Sequence, residues 1–334
     1  MRIQKIGNQW ISERIQSDLI RSTRIHKLPS SNKTNTLYIK REDELSSGIS
    51  GSKLRKYASV IRHLIENNIE EVALIGGPNS NHLVGLLQIL KEHDIHAWLF
   101  IREAGDSTKQ GNALFLDMLA PESSITIIPR EQWTEATRIA QSFLETRNIE
   151  NKKTLLIPEG GLHETSLPGA LTLAQDILKN ESTHGTVFTD LFVDSGTGMT
   201  AIGLILGLAA LDPNAFQRSI HITLIAGEEH AFRAHLDQFS SYLGSALNHP
   251  IPPFSKLNFL KPPTCKAFGS VKPSLFTATR EISRTEGLLM DPTYSVKHYL
   301  SMKEYITQSG TSSSLNLFIY NGSTLGLSGF QAKL

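Results

Sequence analysis

Ser50–Tyr57 reads SGSKLRKY. Ahead of it the β-prone segment Thr36–Lys40, TLYIK, runs into the polar stretch REDELSSGIS; behind it Leu54, Tyr57, Ala58, Ile61, Leu64 and Ile65 recur at helical spacing. The chain therefore switches from strand to helix through a Gly/Ser-rich turn that carries a lysine. Lys53 falls in the first helical turn, where backbone N–H groups point outward and the helix dipole disfavours a cation. A solvated loop lysine would have the same sequence, but a site that needs a neutral amine as nucleophile gains from this position.

Outward from this turn, apolar β-prone runs alternate with helical patterns, which predicts an α/β fold with parallel sheets and crossover helices. Strands are expected at Val72–Ile75, His96–Ile101, Ile125–Ile128 and Thr154–Ile157, with helices at Asn81–His93, Gly111–Leu119 and Glu131–Arg147 between them. The turn-rich segment Pro158–Gly169, PEGGLHETSLPG, marks a crossing between domains. A second set follows, with strands at Asp190–Asp194, Ile220–Ile225 and Leu315–Tyr320 and helices at Ala170–Leu178, up to Leu211, Ser274–Glu286 and Ser295–Thr307. Pro250–Pro263 is expected to be irregular, and the chain ends in a loop, NGSTLGLSGF. The expected division is 1–52 plus 160–334 as a large domain and 53–159 as a small one, with an active site in the cleft.

The 334 residues suffice for two cores. A net charge of +1 gives no electrostatic case for nucleic acid or an anionic membrane surface. The single cysteine, Cys265, excludes an intramolecular disulfide and a multi-cysteine metal cage, and fits a reducing compartment. The N-terminal MRIQKIGNQWISERIQSD is too polar for a signal peptide, and no apolar run is long enough to span a bilayer. The expectation is a cytoplasmic protein with no metal.

Four further stretches lie at strand ends or helix starts. Gly76–His82, GGPNSNH, offers a tight turn and then polar groups at a helix start, which is also what an ordinary N-cap looks like. Ser195–Thr200, SGTGMT, lets N–H groups converge on an anion with a helix dipole behind them. Its spacing matches neither a P-loop nor a dinucleotide fingerprint, so a nest for one phosphate monoester and a plain tight turn stand about even. Asp291–Lys297, DPTYSVK, presents Tyr294, a possible acid, base or packing residue. Tyr320–Gly329, YNGSTLGLSG, brings small residues to another strand end.

Taken in order, SGSKLRKY, GGPNSNH, EGG, SGTGMTAIG, DPTYS and the final Gly-rich loop resemble the 1-aminocyclopropane-1-carboxylate deaminase and D-cysteine desulfhydrase family. The resemblance runs from Leu37 to Phe330, and its most specific parts are the K-x-R-K and S-N-H motifs. It implies the tryptophan synthase β-like fold (fold type II), with two open, mostly parallel twisted sheets covered by helices. It also implies pyridoxal 5'-phosphate as cofactor, a small amino-acid substrate and a homodimer. By the same resemblance Lys53 forms an imine with the cofactor and moves the substrate's α-proton. Asn81 bonds the cofactor's ring hydroxyl. Ser80, a catalytic candidate, lines the substrate carboxylate site with Asn81 and His82. Gly196, Thr197, Gly198, Met199 and Thr200 form the phosphate cup, and Tyr294 faces the substrate.

The chain leaves the family pattern at three points. Ser52 stands where Asn is usual before the lysine. Tyr320–Ser323 stands in place of H-T-G-G, so Asn321 takes the position near the pyridine nitrogen, where it can donate or accept. Ser295 follows the tyrosine where deaminases carry a glutamate implicated in ring opening. These departures favour a lyase that removes an α-proton and eliminates a β-substituent, yielding pyruvate, sulfide and ammonia from D-cysteine. The alternatives are the deaminase, giving 2-oxobutanoate and ammonia, and a cofactor-binding member with little turnover.

Overall fold

The computed structural model describes residues 2–31, 36–105, 109–254, 256–266, 269–309 and 314–334. The chain starts with helix α1 (Arg2–Ser12), strands β1 (Ile25–Lys27) and β2 (Thr36–Arg41), and helix α2 (Lys53–Glu66). The next run is β3 (Glu71–Gly76), α3 (Asn81–Glu92), β4 (His96–Arg102), α4 (Asn112–Leu119), β5 (Ile125–Ile128), α5 (Ala136–Ile149) and β6 (Thr154–Ile157). The last run is α6 (Leu167–His184), β7 (Asp190–Ser195), α7 (Met199–Leu211), β8 (Ser219–Leu224), α8 (Glu229–Leu247), β9 (Leu257–Leu260), α9 (Pro273–Glu286), α10 (Ser295–Ser309) and β10 (Leu315–Tyr320).

The strands form two sheets, a six-stranded one in the order β1-β2-β10-β7-β8-β9 and a four-stranded one in the order β5-β4-β3-β6. Every pairing is parallel except β1 with β2. A parallel sheet needs cover on both faces, and the runs supply it. α7, MTAIGLILGLAAL, is apolar almost all round and lies buried against the large sheet and α6. The two helices approach closely because α7 turns glycines toward α6: a Cβ at Gly203 would lie 2.5 Å from the Ala170 Cβ, and one at Gly207 2.6 Å from the Ala174 Cβ. Leu275, Ile282, Val296 and Met302 of α9 and α10 cover the opposite face around Phe192 and Phe318.

Six elements differ from the sequence expectation, α1 and β1 among them, since none is expected ahead of Thr36. Glu131–Arg147 is not one helix: Arg130–Glu135 is a 3-10 turn and α5 begins at Ala136. α8 and β9 were not expected; β9 lies inside the proline-rich stretch as an edge strand beside β8, and Ser255 of that stretch is outside the described residues. The terminal loop winds into a 3-10 helix, Thr324–Lys333.

Each sheet reverses its winding direction once. In the large sheet the chain builds outward on one side through β7, β8 and β9 and returns on the other as β10, so the reversal lies between β7 and β10. In the small sheet it lies between β3 and β6. Ligands of open α/β sheets collect at the carboxyl ends of strands at such reversals. The segments there are Asp194–Thr200 and Asn321–Ser323 in one sheet, and Gly77–His82 and Pro158–Gly161 in the other. Among the described residues no helix is long and apolar enough to cross a membrane.

Candidate active site

Lys53 opens α2 from a turn locked to the end of β10. Gly51 has φ +44°, and a Cβ there would lie 1.9 Å from the Asn321 carbonyl oxygen. Gly322, at φ +91°, faces it, with a Cβ position 2.8 Å from Gly51 N. Only glycine allows both the left-handed backbone and this approach. The Ser52 N–H donates to Asn321 O at 3.2 Å, so the lysine turn and the terminal loop act as one piece. Lys53 is half-buried. Burial lowers its pKa, opposed by the carboxylates of Asp194 and Asp291.

Asn81 and His82 start α3 and are buried. Ser80 caps the helix, its Oγ accepting from Leu83 N at 3.3 Å. The ordinary capping role is therefore real for Ser80. Asn112 Nδ2 donates to Asn79 O at 3.1 Å and to Asn81 Oδ1 at 2.8 Å. Both contacts fix amide orientation: Asn79 O can only accept, so Asn112 turns its NH2 group inward, and Asn81 then keeps its own NH2 for another acceptor. His82 Nδ1 lies 3.1 Å from the Tyr57 hydroxyl, while its Nε2 is buried with no partner among the described residues. Burial, then Lys56 and Lys53, push the His82 pKa well below 6.5, so the ring is neutral.

The Glu159-Gly160-Gly161 turn joins the two sheets' loops. A Cβ at Gly161 would lie 2.9 Å from His82 Cε1 and 3.4 Å from Lys56 Nζ, and one at Gly160 only 2.1 Å from Thr197 Oγ1. Lys56 Nζ donates to the Gly160 carbonyl. Lys56 and Thr197 thus meet the same glycine from two sides. Burial, reinforced by Lys53, lowers the Lys56 pKa well below 10.5, and neither lysine has an ion-pair partner among the described residues. Thr197 lies in the turn Gly196–Thr200, with Gly198 at φ +108° before α7. A glycine turn at a helix start has the geometry that can receive an anion, and the Lys56 amine lies beside it across Gly160.

Tyr294 precedes α10. Burial, then Asp291, Asp194 and Glu159, raise its pKa, so it stays a neutral donor. A Cβ at Gly196 would lie 3.9 Å from its ring. Asp291 receives the backbone N–H groups of Thr293, Tyr294 and Ser295 at 2.8, 2.9 and 3.2 Å, and the Ser323 hydroxyl. Ser295 Oγ donates to Gly322 O at 2.9 Å. Asn321 Nδ2 donates to Asp194 Oδ1 at 2.7 Å, and its Oδ1 is buried without a partner among the described residues.

Lys53, Asn81, His82, the 196–200 turn, Tyr294 and Asn321 are therefore linked through a short chain of contacts. Sequence reasoning placed Lys56, with Arg55, near Lys53 as a group that could tune that amine's pKa, and did not single out Asn112, Asp194 or Asp291 for roles. The motif EGG, Glu159–Gly161, carries no role in the sequence reading. A phosphorylated, planar, aldehyde-bearing group fits this set: a glycine turn at a helix start with a buried amine beside it, a second amine of lowered pKa, an amide donor at Asn81, and buried polar atoms without partners among the described residues, Ser52 Oγ, His82 Nε2, Asn112 Oδ1 and Asn321 Oδ1.

A model of the family described as pyridoxal-phosphate dependent enzyme matches residues 16–314. A protein of Pyrococcus abyssi, named provisionally as a 1-aminocyclopropane-1-carboxylate deaminase, is 25% identical over 295 residues, covering 87% of this chain and 85% of its own. D-cysteine desulfhydrase of Yersinia pestis is 24% identical over 282 residues, covering 81% of each. The crystal structure of a 1-aminocyclopropane-1-carboxylate deaminase homologue superposes with a TM-score of 0.82 at 23% identity, covering 97% of this chain and 95% of that one.

Proposed function

Because the chain belongs to the pyridoxal-phosphate dependent enzyme family, with pyridoxal 5'-phosphate as its cofactor, we propose that it is a lyase of small amino acids acting as a D-cysteine desulfhydrase. It would remove the α-proton and expel the β-substituent, giving pyruvate, sulfide and ammonia. The cofactor, when bound, supplies the sink for the electron pair left by α-proton removal.

The roles assigned to the chain's own groups are those that the family resemblance implies, and their chemistry supports them. Lys53 Nζ would attach the cofactor and carry the α-proton, and burial, which lowers its pKa, favours the neutral amine this needs. The 196–200 turn and Lys56 hold the phosphate, and Asn81 donates its Nδ2 to the ring hydroxyl. Ser80, Asn81 and His82 hold the substrate carboxylate, and Tyr294 passes a proton to the leaving group. The division into 1–52 plus 160–334 and 53–159, a cytoplasmic setting and a homodimer belong to the same reading.

The observation that carries β-elimination over ring opening is Ser295. Its hydroxyl is committed to Gly322 O at 2.9 Å and lies 3.0 Å from Ser323 Oγ, and it offers no carboxylate where the resemblance implies one in deaminases. The deaminase remains the second reading because the Pyrococcus abyssi relative bears that name. The test compares pyruvate and sulfide from D-cysteine, L-cysteine and D-serine with 2-oxobutanoate from the cyclopropane amino acid. Pyruvate and sulfide from D-cysteine are expected; clear 2-oxobutanoate production overturns the argument from Ser295, and turnover of none of these by the loaded protein favours a binding role.

A further inference from the structure

Asn321 occupies the position that the resemblance sets near the cofactor's ring nitrogen, and the structure settles what it can offer there. A hydroxyl at that position either donates or accepts. An amide has one donor end and one acceptor end, and which one faces the ligand depends on what holds the other. Here Nδ2 donates to Asp194 Oδ1 at 2.7 Å. A carboxylate only accepts, so turning the amide round would set two acceptors against each other. The remaining end, Oδ1, is buried with no partner among the described residues, in a residue only 9% exposed. Leaving a buried carbonyl oxygen unpaired costs about 1–3 kcal/mol, so this atom calls for a donor.

The surroundings point the same way. Asn321 O accepts from Ser52 N beside Lys53, and Asp194 leads into the glycine turn at residues 196–200, so the amide stands between the lysine and the nest. The titratable groups near it are Asp194 from β7, Asp291 and Tyr294 ahead of α10, His298 within α10 and Lys53 from α2. Asp194 bears electrostatically on Lys53, Tyr294 and His298 alike. Burial lowers the pKa of Lys53 and of His298, and Asp194 at both and Asp291 at Lys53 oppose it, so these carboxylates are the groups here that favour a positive charge.

We propose that Asn321, held by Asp194, is an acceptor-only partner that keeps the ring nitrogen of the bound cofactor protonated. This rests on the cofactor and Lys53 reading above. Asp194 is the positioning residue, since it decides which end of the amide is presented. The departure from threonine then strengthens the electron sink: a protonated ring draws the α-carbon's electron pair more strongly than a neutral one, which a hydroxyl donor would tolerate.

The experiment loads the full-length protein with pyridoxal 5'-phosphate carrying 15N in its ring and reads the ring-nitrogen resonance across the neutral pH range. Borohydride trapping of a parallel sample reports attachment at Lys53. The wild type is expected at the pyridinium position, with Asn321→Thr moving toward the free base and Asp194→Asn, which can let the amide turn, moving the same way. A free-base resonance in wild type whose label is trapped on Lys53 overturns the inference while leaving the cofactor reading intact. Absence of trapped label overturns that reading, and this inference with it. The wild-type resonance alone decides if a variant fails to fold.

Discussion

Helix α2 carries two buried charge clusters a few residues apart. Arg55 faces one: Nε meets Glu42 Oε2 at 2.5 Å, and Nη2 meets Glu42 Oε1 at 2.8 Å and Asp176 Oδ2 at 2.6 Å. Lys40 Nζ closes the set on Asp176 Oδ2 at 2.5 Å, Asn180 Oδ1 at 2.6 Å and Thr23 O at 2.7 Å. Burial would depress the Arg55 pKa, but Glu42 and Asp176 outweigh it and raise it. Burial wins at Lys40, whose pKa falls, and at Lys53 and Lys56 of the other cluster, which unlike Lys40 have no ion-pair partner among the described residues. The first cluster is satisfied within the chain and fixes β2, α2 and α6 against one another. The second holds two lysines without an ion-pair partner among the described residues, an arrangement suited to an anionic ligand.

The sharpest way to break this contrast is Arg55→Met. Removing one member of a buried ion cluster strands the others, and the expected loss is about 3–5 kcal/mol in denaturant unfolding of the protein without cofactor. A loss under about 1 kcal/mol would show that the cluster is not the anchor of α2. Lys56→Met should do the opposite. The folded pKa lies below the unfolded 10.5, so the unfolded state binds more protons and stability rises with pH toward 10.5. The variant loses that penalty, so its stability at neutral pH holds or increases and its alkaline rise flattens. Its affinity for pyridoxal 5'-phosphate should fall by about 1.5–3 kcal/mol, or roughly 10- to 150-fold, measured by cofactor titration. A destabilised Lys56→Met that binds cofactor normally would reverse the assignment of the two clusters.

Most strands and helices were legible because their periodicity is local. The exceptions have physical reasons. α8 buries only Phe232, Phe239, Leu243 and Leu247, too sparse a stripe to register against its many polar residues. β9 is four half-buried residues after Pro250, Pro252 and Pro253 and owes its existence to pairing with β8. The glycine motifs were legible because close contacts, such as Gly51 against Asn321 O, require that residue type. Asp194, Asp291, Asn112 and the role of Lys56 were not, because strand order and interlocking loops bring them to the site. The ambiguity at Asn321, donor or acceptor, is resolved only by its bond to Asp194.

The central claim is that the amine at the start of α2 holds the cofactor. It is tested most directly by the visible spectrum of the purified protein loaded with pyridoxal 5'-phosphate, before and after borohydride, with a peptide map of the reduced product. A lysine-bound absorbance band that borohydride abolishes, with the label on Lys53 and no such band in Lys53→Ala, is the expected result. A label on Lys56 or elsewhere, or a band unchanged in Lys53→Ala, would contradict it.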